Sequence, residues 1–344
     1  MAREPGKLAG AQRFRVRDLQ GIAERAASLT VDASVPSAVI VPPSVTSRRL
    51  AGFAWAALSV GIFSGWFVVT RFSVTHELRI WDVMALRFGV GAVLLLPFLI
   101  GSKRVLPFRL WLEGLLLAML WGAPFVFFVG LGLRLTSAAE ASAITPALMP
   151  VFAGLFGWLI LREWPSSTRL VGYIVIASGL IALVGGYAML HGAPDSIGIA
   201  LLIGAGITWA IYTLRFRLSG LSSQQAAALI CFWSAVLFVP VYLIAGLSRF
   251  DQASVQELTF QVIYQGVFMS VVAVVSYNRA ITLLGAGAAA AMIALLPVIV
   301  SAVAFPVLGE ALSAIEIAAI AFISVGVGLA ARPNPVPKSL QQRR

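Results

Sequence analysis

Long apolar stretches separated by short polar segments fill residues 51–331 of this 344-residue chain. A helix needs about 20 consecutive apolar residues to cross a bilayer. Ten stretches are close to that length: 51–70, 83–101, 111–132, 137–160, 169–190, 197–214, 225–247, 260–279, 287–308 and 313–331. Because most of the connections are short, neighbouring helices are expected to run antiparallel. The pattern therefore predicts an all-α membrane protein with ten transmembrane helices.

Composition agrees with this class of protein. Hydrophobic residues make up 60% of the chain and charged residues 11%, a balance typical of integral membrane proteins. A net charge of +11 could by itself suggest a nucleic-acid partner. The basic residues, however, lie between the apolar spans and at both ends of the chain. The sequence therefore indicates a lipid bilayer, and no nucleic acid, as a partner.

Lysine and arginine set the expected orientation, because cytoplasmic loops are enriched in both. With the N-terminus inside, 20 of the 25 basic residues fall on the cytoplasmic side. We therefore expect both termini in the cytoplasm, the loop at 192–196 outside, and the cytoplasmic membrane of a bacterium as the location. Residues 1–49 are expected to be a disordered or membrane-surface tail, and residues 332–344 a basic cytoplasmic tail.

The apolar region contains an internal repeat. Four residues recur at offsets of 143 or 147 positions: Trp66 as Trp209, Thr70 as Thr213, Pro150 as Pro297 and Glu163 as Glu310. Five spans per copy is an odd number, so the second copy enters the membrane from the opposite side. The sequence predicts two inverted five-helix repeats, residues 50–190 and 197–331, as in many secondary transporters. The two recurring glutamates are expected to cap helices or to form salt bridges at helix ends.

These motifs resemble the EamA-type branch of the drug/metabolite transporter superfamily over residues 50–331. The similar segments are Gly61–Trp66, Ala85–Phe88, Ala147–Phe152 and Leu161–Glu163 in the first copy, and Ile207–Tyr212, Pro297–Val298 and Leu308–Glu310 in the second. The resemblance implies a ten-helix fold that exports or exchanges small organic metabolites, often amino acids or drug-like solutes. It does not identify the solute. Glu140 departs from the usual pattern, since the second copy has Gly287 there.

Aromatic and hydroxyl side chains inside several spans are candidates for a solute cavity. Trp66 and Thr70 lie one helical turn apart, as do Trp209 and Thr213, so each pair presents a ring and a hydroxyl on one face. The other candidate substrate-binding residues are Trp121, Tyr212, Tyr264 and Gln265. A cavity lined by such groups suits a partly apolar or aromatic solute. The alternatives are an interfacial aromatic belt and hydrogen bonding between packed helices.

Two prolines and two charged residues complete the candidate site. Pro150 and Pro297 each remove one helix hydrogen bond, so each is either a hinge with a free carbonyl or a packed kink satisfied by a neighbouring hydroxyl. Ser137 with Glu140, and Ser313 with Glu316 at the start of the tenth span, match the Ser-x-x-Glu capping box. Glu140 either caps the fourth helix or carries a proton during transport. Arg87 either binds a substrate carboxylate, snorkels outward, or pairs with Asp82 or Glu140.

The sequence offers little material for catalysis. His76 and His191 lie in separate loops, and Cys231 is the single cysteine, so we expect no metal site, no cofactor and no enzyme. The main hypothesis is a secondary transporter driven by a solute or ion gradient, with protons as a candidate coupling ion. A membrane receptor or scaffold without transport activity is the alternative. Small-residue rows such as Ser324-x-x-x-Gly328 are compatible with a homodimer.

Overall fold

The computed structural model describes residues 45–100, 106–162, 164–285 and 292–332. Within these ranges, seven helices are long and apolar enough to cross a membrane. The first begins at Val45, six residues before the predicted start of the first span. The predictions for the rest of the N-terminal tail, for residues 333–344 and for Glu163 lie outside the described residues.

The helices follow the predicted spans. In chain order they are α1 (Val45–Thr75), α2 (Ile80–Leu95), α3 (Pro97–Ile100), α4 (Phe108–Trp121), α5 (Ala123–Leu135), α6 (Ala138–Leu161), α7 (Ser167–His191), α8 (Ser196–Ser219), α9 (Ser223–Ile244), α10 (Val255–Gln261), α11 (Val274–Leu284), α12 (Leu296–Leu308) and α13 (Ala314–Ala330). A π-helix, Val262–Ala273, joins α10 to α11, so that helical structure is continuous over 30 residues. The shorter helices α2, α12 and α13 overlap the three remaining predicted spans.

Serine caps begin two of these helices, as the sequence predicts. The Ser137 hydroxyl accepts a hydrogen bond from the Glu140 amide, and the Glu140 carboxylate accepts one from the Ser137 amide. Ser313 and Glu316 form the same reciprocal arrangement at the start of α13. Each capping box satisfies amide groups that the first helical turn leaves without intrahelical partners. The two predicted capping boxes are therefore confirmed.

The third predicted span is interrupted near its middle. α4 ends at Trp121 and α5 begins at Ala123, with Gly122 between them at φ −91° and ψ −136°. Pro124 stands in the first turn of α5, where its missing amide hydrogen costs no helical bond. The Ala123 amide donates instead to the Ser234 hydroxyl at 3.2 Å. Residues 108–135 therefore consist of two helical pieces that meet between Trp121 and Ala123.

The two repeated prolines lie in different local structures. α6 continues through Pro150 without ending. Pro297, in contrast, stands in the first turn of α12, directly after a turn at Ala294 and Leu295. The Ser324 hydroxyl donates to the Ala294 carbonyl oxygen at 2.8 Å. One carbonyl of the turn before Pro297, that of Ala294, is thus satisfied by a neighbouring hydroxyl.

Glycines bring α7 and α13 into close contact. A Cβ added to Gly172 would come within 2.5 Å of the Ala330 backbone nitrogen, and one added to Gly326 within 2.8 Å of the Ile176 nitrogen. Around Gly328, by contrast, a Cβ would meet nothing within 4 Å. The contact between these two helices therefore depends on Gly172 and Gly326. It does not use Gly328, which the Ser-x-x-x-Gly row singles out.

Candidate substrate site

Seven aromatic side chains form one buried cluster, which we call the aromatic cluster. Its members are Phe63, Trp66, Trp121, Phe125, Trp209, Tyr212 and Tyr277, each no more than 3% exposed. Trp121 is central, with its ring centroid 4.3 Å from that of Phe125, 4.7 Å from that of Trp209 and 4.9 Å from that of Tyr212. Phe63 meets three of these rings edge-on, at 5.8 to 6.2 Å. The cluster thus joins four of the predicted site residues into one group.

The cluster is assembled at the interruption between α4 and α5. Trp121 is the last residue of α4, and Phe125 lies in the first turn of α5. The irregular backbone at Gly122 separates the two helices, and the two rings stack with an interplanar angle of 19°. The other five rings come from α1, α8 and α11, so both predicted repeats contribute to the cluster.

Hydrogen bonds fix the half of the cluster that comes from the second copy. The Trp209 indole nitrogen donates to the Tyr277 hydroxyl at 3.3 Å, and the Thr213 hydroxyl lies 3.3 Å from the same oxygen. The Tyr212 hydroxyl donates to Asn278 Oδ1 at 2.8 Å. A buried indole or phenol without such a partner would be destabilising. These bonds therefore hold the rings in fixed orientations.

Gln265 makes the corresponding contacts with the polar groups of Trp66 and Thr70 in the first copy. The Trp66 indole nitrogen donates to Gln265 Oε1 at 3.1 Å, and Gln265 Nε2 approaches the Thr70 hydroxyl at 3.4 Å and Gln261 Oε1 at 3.2 Å. Both glutamines are fully buried. Gln265 lies in the π-helix, a rare form that often occurs at functional sites. The structure thus brings Gln265 together with Trp66 and Thr70, although it is nearly 200 positions away from them in the sequence.

Tyr264 lies apart from the aromatic cluster. Its hydroxyl donates to the Ile62 carbonyl oxygen of α1 at 2.9 Å, and its ring contacts those of Phe260 and Phe268. A Cβ on Gly65 would collide with the Tyr264 hydroxyl. Tyr264 therefore occupies the space left by a glycine of α1, an arrangement typical of helix packing.

Arg87 is the only basic residue that is buried within the described part of the chain. Its guanidinium carbon lies 5.2 Å from the centroid of the Trp66 ring and 5.6 Å from that of Phe88. The Nε and Nη1 atoms have no hydrogen-bond partner among the described residues. Asp82, a predicted partner, instead accepts hydrogen bonds from the Tyr242 hydroxyl and the Arg249 amide. At 1% exposure, the side chain does not snorkel outward either.

Only one carboxylate oxygen of Glu140 takes part in the capping box. Oε2 accepts hydrogen bonds from both the amide and the hydroxyl of Ser137, each at 3.0 Å. Oε1 is buried and has no partner among the described residues. The capping role is therefore visible in the structure, whereas the proton-carrying role stays a prediction.

Two ion pairs lie at opposite ends of the molecule. Arg71 contacts Glu310 at 3.0 Å, and Glu310 also accepts a hydrogen bond from the Ala138 amide at the start of α6. This is the salt bridge at a helix end that the sequence predicts for Glu310. At the other end of the span 108–135, Arg215 Nε donates to Glu113 Oε2 at 3.0 Å. Each pair joins one predicted repeat to the other.

Sequence reasoning omitted four residues of this region: Phe63, Phe125, Tyr277 and Asn278. A local signal was available for two of them, because Phe63 and Phe125 lie three or four residues from a selected tryptophan and therefore on the same helical face. Tyr277 and Asn278 appear in the sequence only as part of a polar face of the eighth span. Among the described residues, no group of three His, Cys, Asp or Glu side chains could hold a metal ion.

Comparison with known proteins agrees with this architecture. Together, the apolar helices and the buried polar groups between them define a multi-pass membrane protein. The sequence profile of the EamA-like transporter family matches residues 50–185 and again residues 196–332. The chain therefore belongs to the EamA-like transporter family.

Three curated relatives are similar to this chain over about half its length. It is 23% identical to an uncharacterized transporter of Clostridium kluyveri (55% of this chain, 62% of the relative). It is 26% identical to the uncharacterized transporter YetK of Bacillus subtilis (51% and 54%). It is 28% identical to a probable terminal-alkyne amino-acid exporter of Streptantibioticus cattleyicolor (50% and 57%). The chain thus spans 54–62% of the length of these relatives.

A solved crystal structure has a similar fold. It superposes with a TM-score of 0.59 at 21% sequence identity, covering 83% of this chain and 97% of the other. At this identity, the likeness concerns the fold alone.

Proposed function

We propose that this protein is a secondary transporter that exports or exchanges small organic metabolites, such as amino acids or aromatic, drug-like solutes. The aromatic cluster is the observation that supports this proposal. The cluster is buried inside the spans and lies at the interruption between α4 and α5. Interrupted helices inside a membrane are tolerated where they are buried in protein or line a cavity, and they often form transporter binding sites. Aromatic rings with a few fixed polar groups suit a partly apolar solute.

In this proposal, ten transmembrane helices form two inverted five-helix repeats, residues 50–190 and 197–331, which alternate in opening the site to each side. The two ion pairs support such a mechanism, because each joins the repeats at one end. The side chains of Arg71 and Glu310 are 22% and 19% exposed. Partly exposed ion pairs contribute only about 0–1 kcal/mol. The Arg71–Glu310 contact can therefore break and reform as a gate at a small cost in free energy.

The same proposal places both termini in the cytoplasm and the protein in the cytoplasmic membrane of a bacterium. The distribution of basic residues supports this orientation, which puts Glu310 on the outer side. A cysteine introduced at the C-terminus, in a Cys231→Ser background, should react with a membrane-impermeant maleimide only after the cells are permeabilised. Equal labelling in intact cells would contradict the assigned orientation.

Transport itself is tested with the purified full-length chain in proteoliposomes. We expect saturable counterflow of at least one solute from a panel of amino acids and aromatic metabolites, with protein-free liposomes as the control. Repeating the assay with an imposed pH gradient shows whether protons are coupled to the solute. If correctly folded, reconstituted protein moves none of the panel, the proposed function is wrong.

Glu140→Gln separates capping from proton coupling. The amide oxygen of glutamine can replace the carboxylate as acceptor in the capping box, so folding and solute counterflow should stay within about twofold of the wild type. Glu316→Gln is the matched control, because Glu316 caps α13 through Ser313 in the same way. Proton uptake is followed with a pH-sensitive dye trapped in the proteoliposomes. A loss of proton uptake confined to the Glu140 variant would assign the proton to this residue. Equal proton uptake in both variants would leave Glu140 with the capping role alone.

A further inference from the structure

The buried polar atoms that lack partners near the aromatic cluster are mostly hydrogen-bond donors. In the described residues these atoms are Arg87 Nε and Nη1, Trp121 Nε1 and Asn278 Nδ2; the other two unpartnered atoms are the Ser276 hydroxyl and Glu140 Oε1. The arginine, indole and amide nitrogens can only donate, while a hydroxyl can do either. Leaving buried donors unpaired is unfavourable. The group that completes this site must therefore bring hydrogen-bond acceptors.

Charge leads to the same conclusion. Arg87 keeps its positive charge in proteins under all ordinary conditions, and a buried charge is normally paired. Of the buried carboxylates among the described residues, Glu113 contacts Arg215, and Asp82 accepts from Tyr242 and Arg249. The other two, Glu140 and Glu316, serve in capping boxes. The described part of the chain thus provides Arg87 with no anion.

The aromatic rings near Arg87 stabilise its charge without occupying its N–H groups. A cation within about 6 Å of a ring centroid is attracted by the negative face of that ring, and Arg87 lies within this distance of Trp66 and Phe88. Trp66 in turn stacks on Phe125, which stacks on Trp121. The unpaired guanidinium and the unpaired Trp121 indole therefore belong to one continuous stack of rings.

We propose that Arg87 recognises a carboxylate on the transported solute, so that the site selects a monoanion with an aromatic or apolar body. This inference rests on the proposed transport function and deepens it. A carboxylate brings one negative charge for the single cation, and its two oxygens can accept from a guanidinium edge that includes one of the free N–H groups. A doubly charged phosphate would leave one negative charge without a counterion. The rings of the aromatic cluster would contact the body of the solute.

The proposal has a consequence for the empty protein. If the natural partner of Arg87 is the solute, the guanidinium is under-compensated until the solute binds. Removing its charge should then leave the empty protein at least as thermally stable as the wild type. A structural arginine with a permanent partner behaves in the opposite way, because its removal destabilises the fold. Stability and solute selectivity together therefore distinguish recognition from packing.

Three probes that share one aromatic body test the charge requirement. They are 3-phenylpropionate, its neutral amide 3-phenylpropionamide, and the cation phenethylamine. Binding is measured as the ligand-induced rise in the Tm of the purified full-length protein. We compare the wild type with Arg87→Gln and Arg87→Lys. Arg279→Gln is the control, because Arg279 is exposed on α11.

We expect the wild type and Arg279→Gln to bind the carboxylate roughly tenfold or more tightly than the amide or the amine, as a charged hydrogen bond requires. Arg87→Gln should lose this preference while keeping its Tm, and Arg87→Lys should retain part of it. Equal binding of carboxylate and amide by the wild type, an unchanged preference in Arg87→Gln, or no binding of any probe would overturn the proposal. Counterflow confined to solutes that lack a carboxylate in the proteoliposome panel would leave the transport function standing and reject carboxylate recognition.

Discussion

Gly326→Leu should largely abolish the folded protein. Even a Cβ at this position would lie 2.8 Å from the Ile176 nitrogen and 3.0 Å from the Gly172 carbonyl oxygen. These are backbone atoms, which cannot move aside without separating α7 from α13. Overpacking of this kind costs about 1–3 kcal/mol or more, and helices in a membrane depend on close packing for their association. The measurement is the Tm and the monodisperse fraction of detergent-purified protein.

Gly328→Leu is the matched control for this substitution. Gly328 lies on the same helix, two residues further on, and a Cβ there would meet nothing within 4 Å. We expect this variant to purify like the wild type, with a Tm within a few degrees. If Gly326→Leu also purifies normally, α7 and α13 do not pack as the structure shows. If only Gly328→Leu fails, that residue lies in a contact formed by another surface.

Trp209→Phe should weaken solute binding about tenfold while lowering Tm by only a few degrees. The variant keeps a ring inside the aromatic cluster but loses the indole N–H bond to the Tyr277 hydroxyl and part of the ring face offered to the solute. A bond of this kind contributes about 1 kcal/mol to holding the ring in place. Together with the smaller ring face, the loss should reach the roughly 1.4 kcal/mol that corresponds to a tenfold change in affinity. Binding is measured with the solute identified by counterflow.

Two further variants separate binding from packing. Trp158→Phe makes the same chemical change at a tryptophan that is 39% exposed and outside the cluster, so its binding and Tm should match the wild type. Trp209→Ala, by contrast, should lower Tm strongly, because removing a buried ring costs about 3–5 kcal/mol. Unchanged affinity in Trp209→Phe, together with a reduced Tm in Trp209→Ala, would make Trp209 a packing residue.

Much of the candidate site could be selected from the sequence because its residues follow helical spacing. Trp66 with Thr70, and Trp209 with Thr213, share helical faces whatever their neighbours are. Membership of a helical face, however, does not show which side chain lies opposite. Tyr264 and Gln265 are adjacent and both polar, yet Gln265 binds Trp66 whereas Tyr264 fills the space beside Gly65. A sequence pattern cannot separate these two roles.

The two repeated prolines show that a sequence pattern does not predict the local backbone structure either. Pro150 and Pro297 occupy matching places in the repeated motif, and the sequence assigns them one role. In the structure, α6 continues through Pro150 while α12 begins beside Pro297. At the second break, the Ser324 hydroxyl satisfies the Ala294 carbonyl. Such a partner, 30 residues away, is visible only in three dimensions.

The membrane class, the approximate helices and two of their capping boxes are predictable from the sequence. Each of these depends on local chemistry: the length of an apolar run compared with the thickness of a bilayer, or the reach of a serine to an amide three residues away. Which buried groups have partners is visible in three dimensions alone, because those contacts join distant segments. Trp66 and Gln265 are 199 positions apart. Among the described residues, the lack of a free carboxylate for Arg87 is visible only when the surrounding helices are in place, and the proposal about the charge of the solute rests on this arrangement.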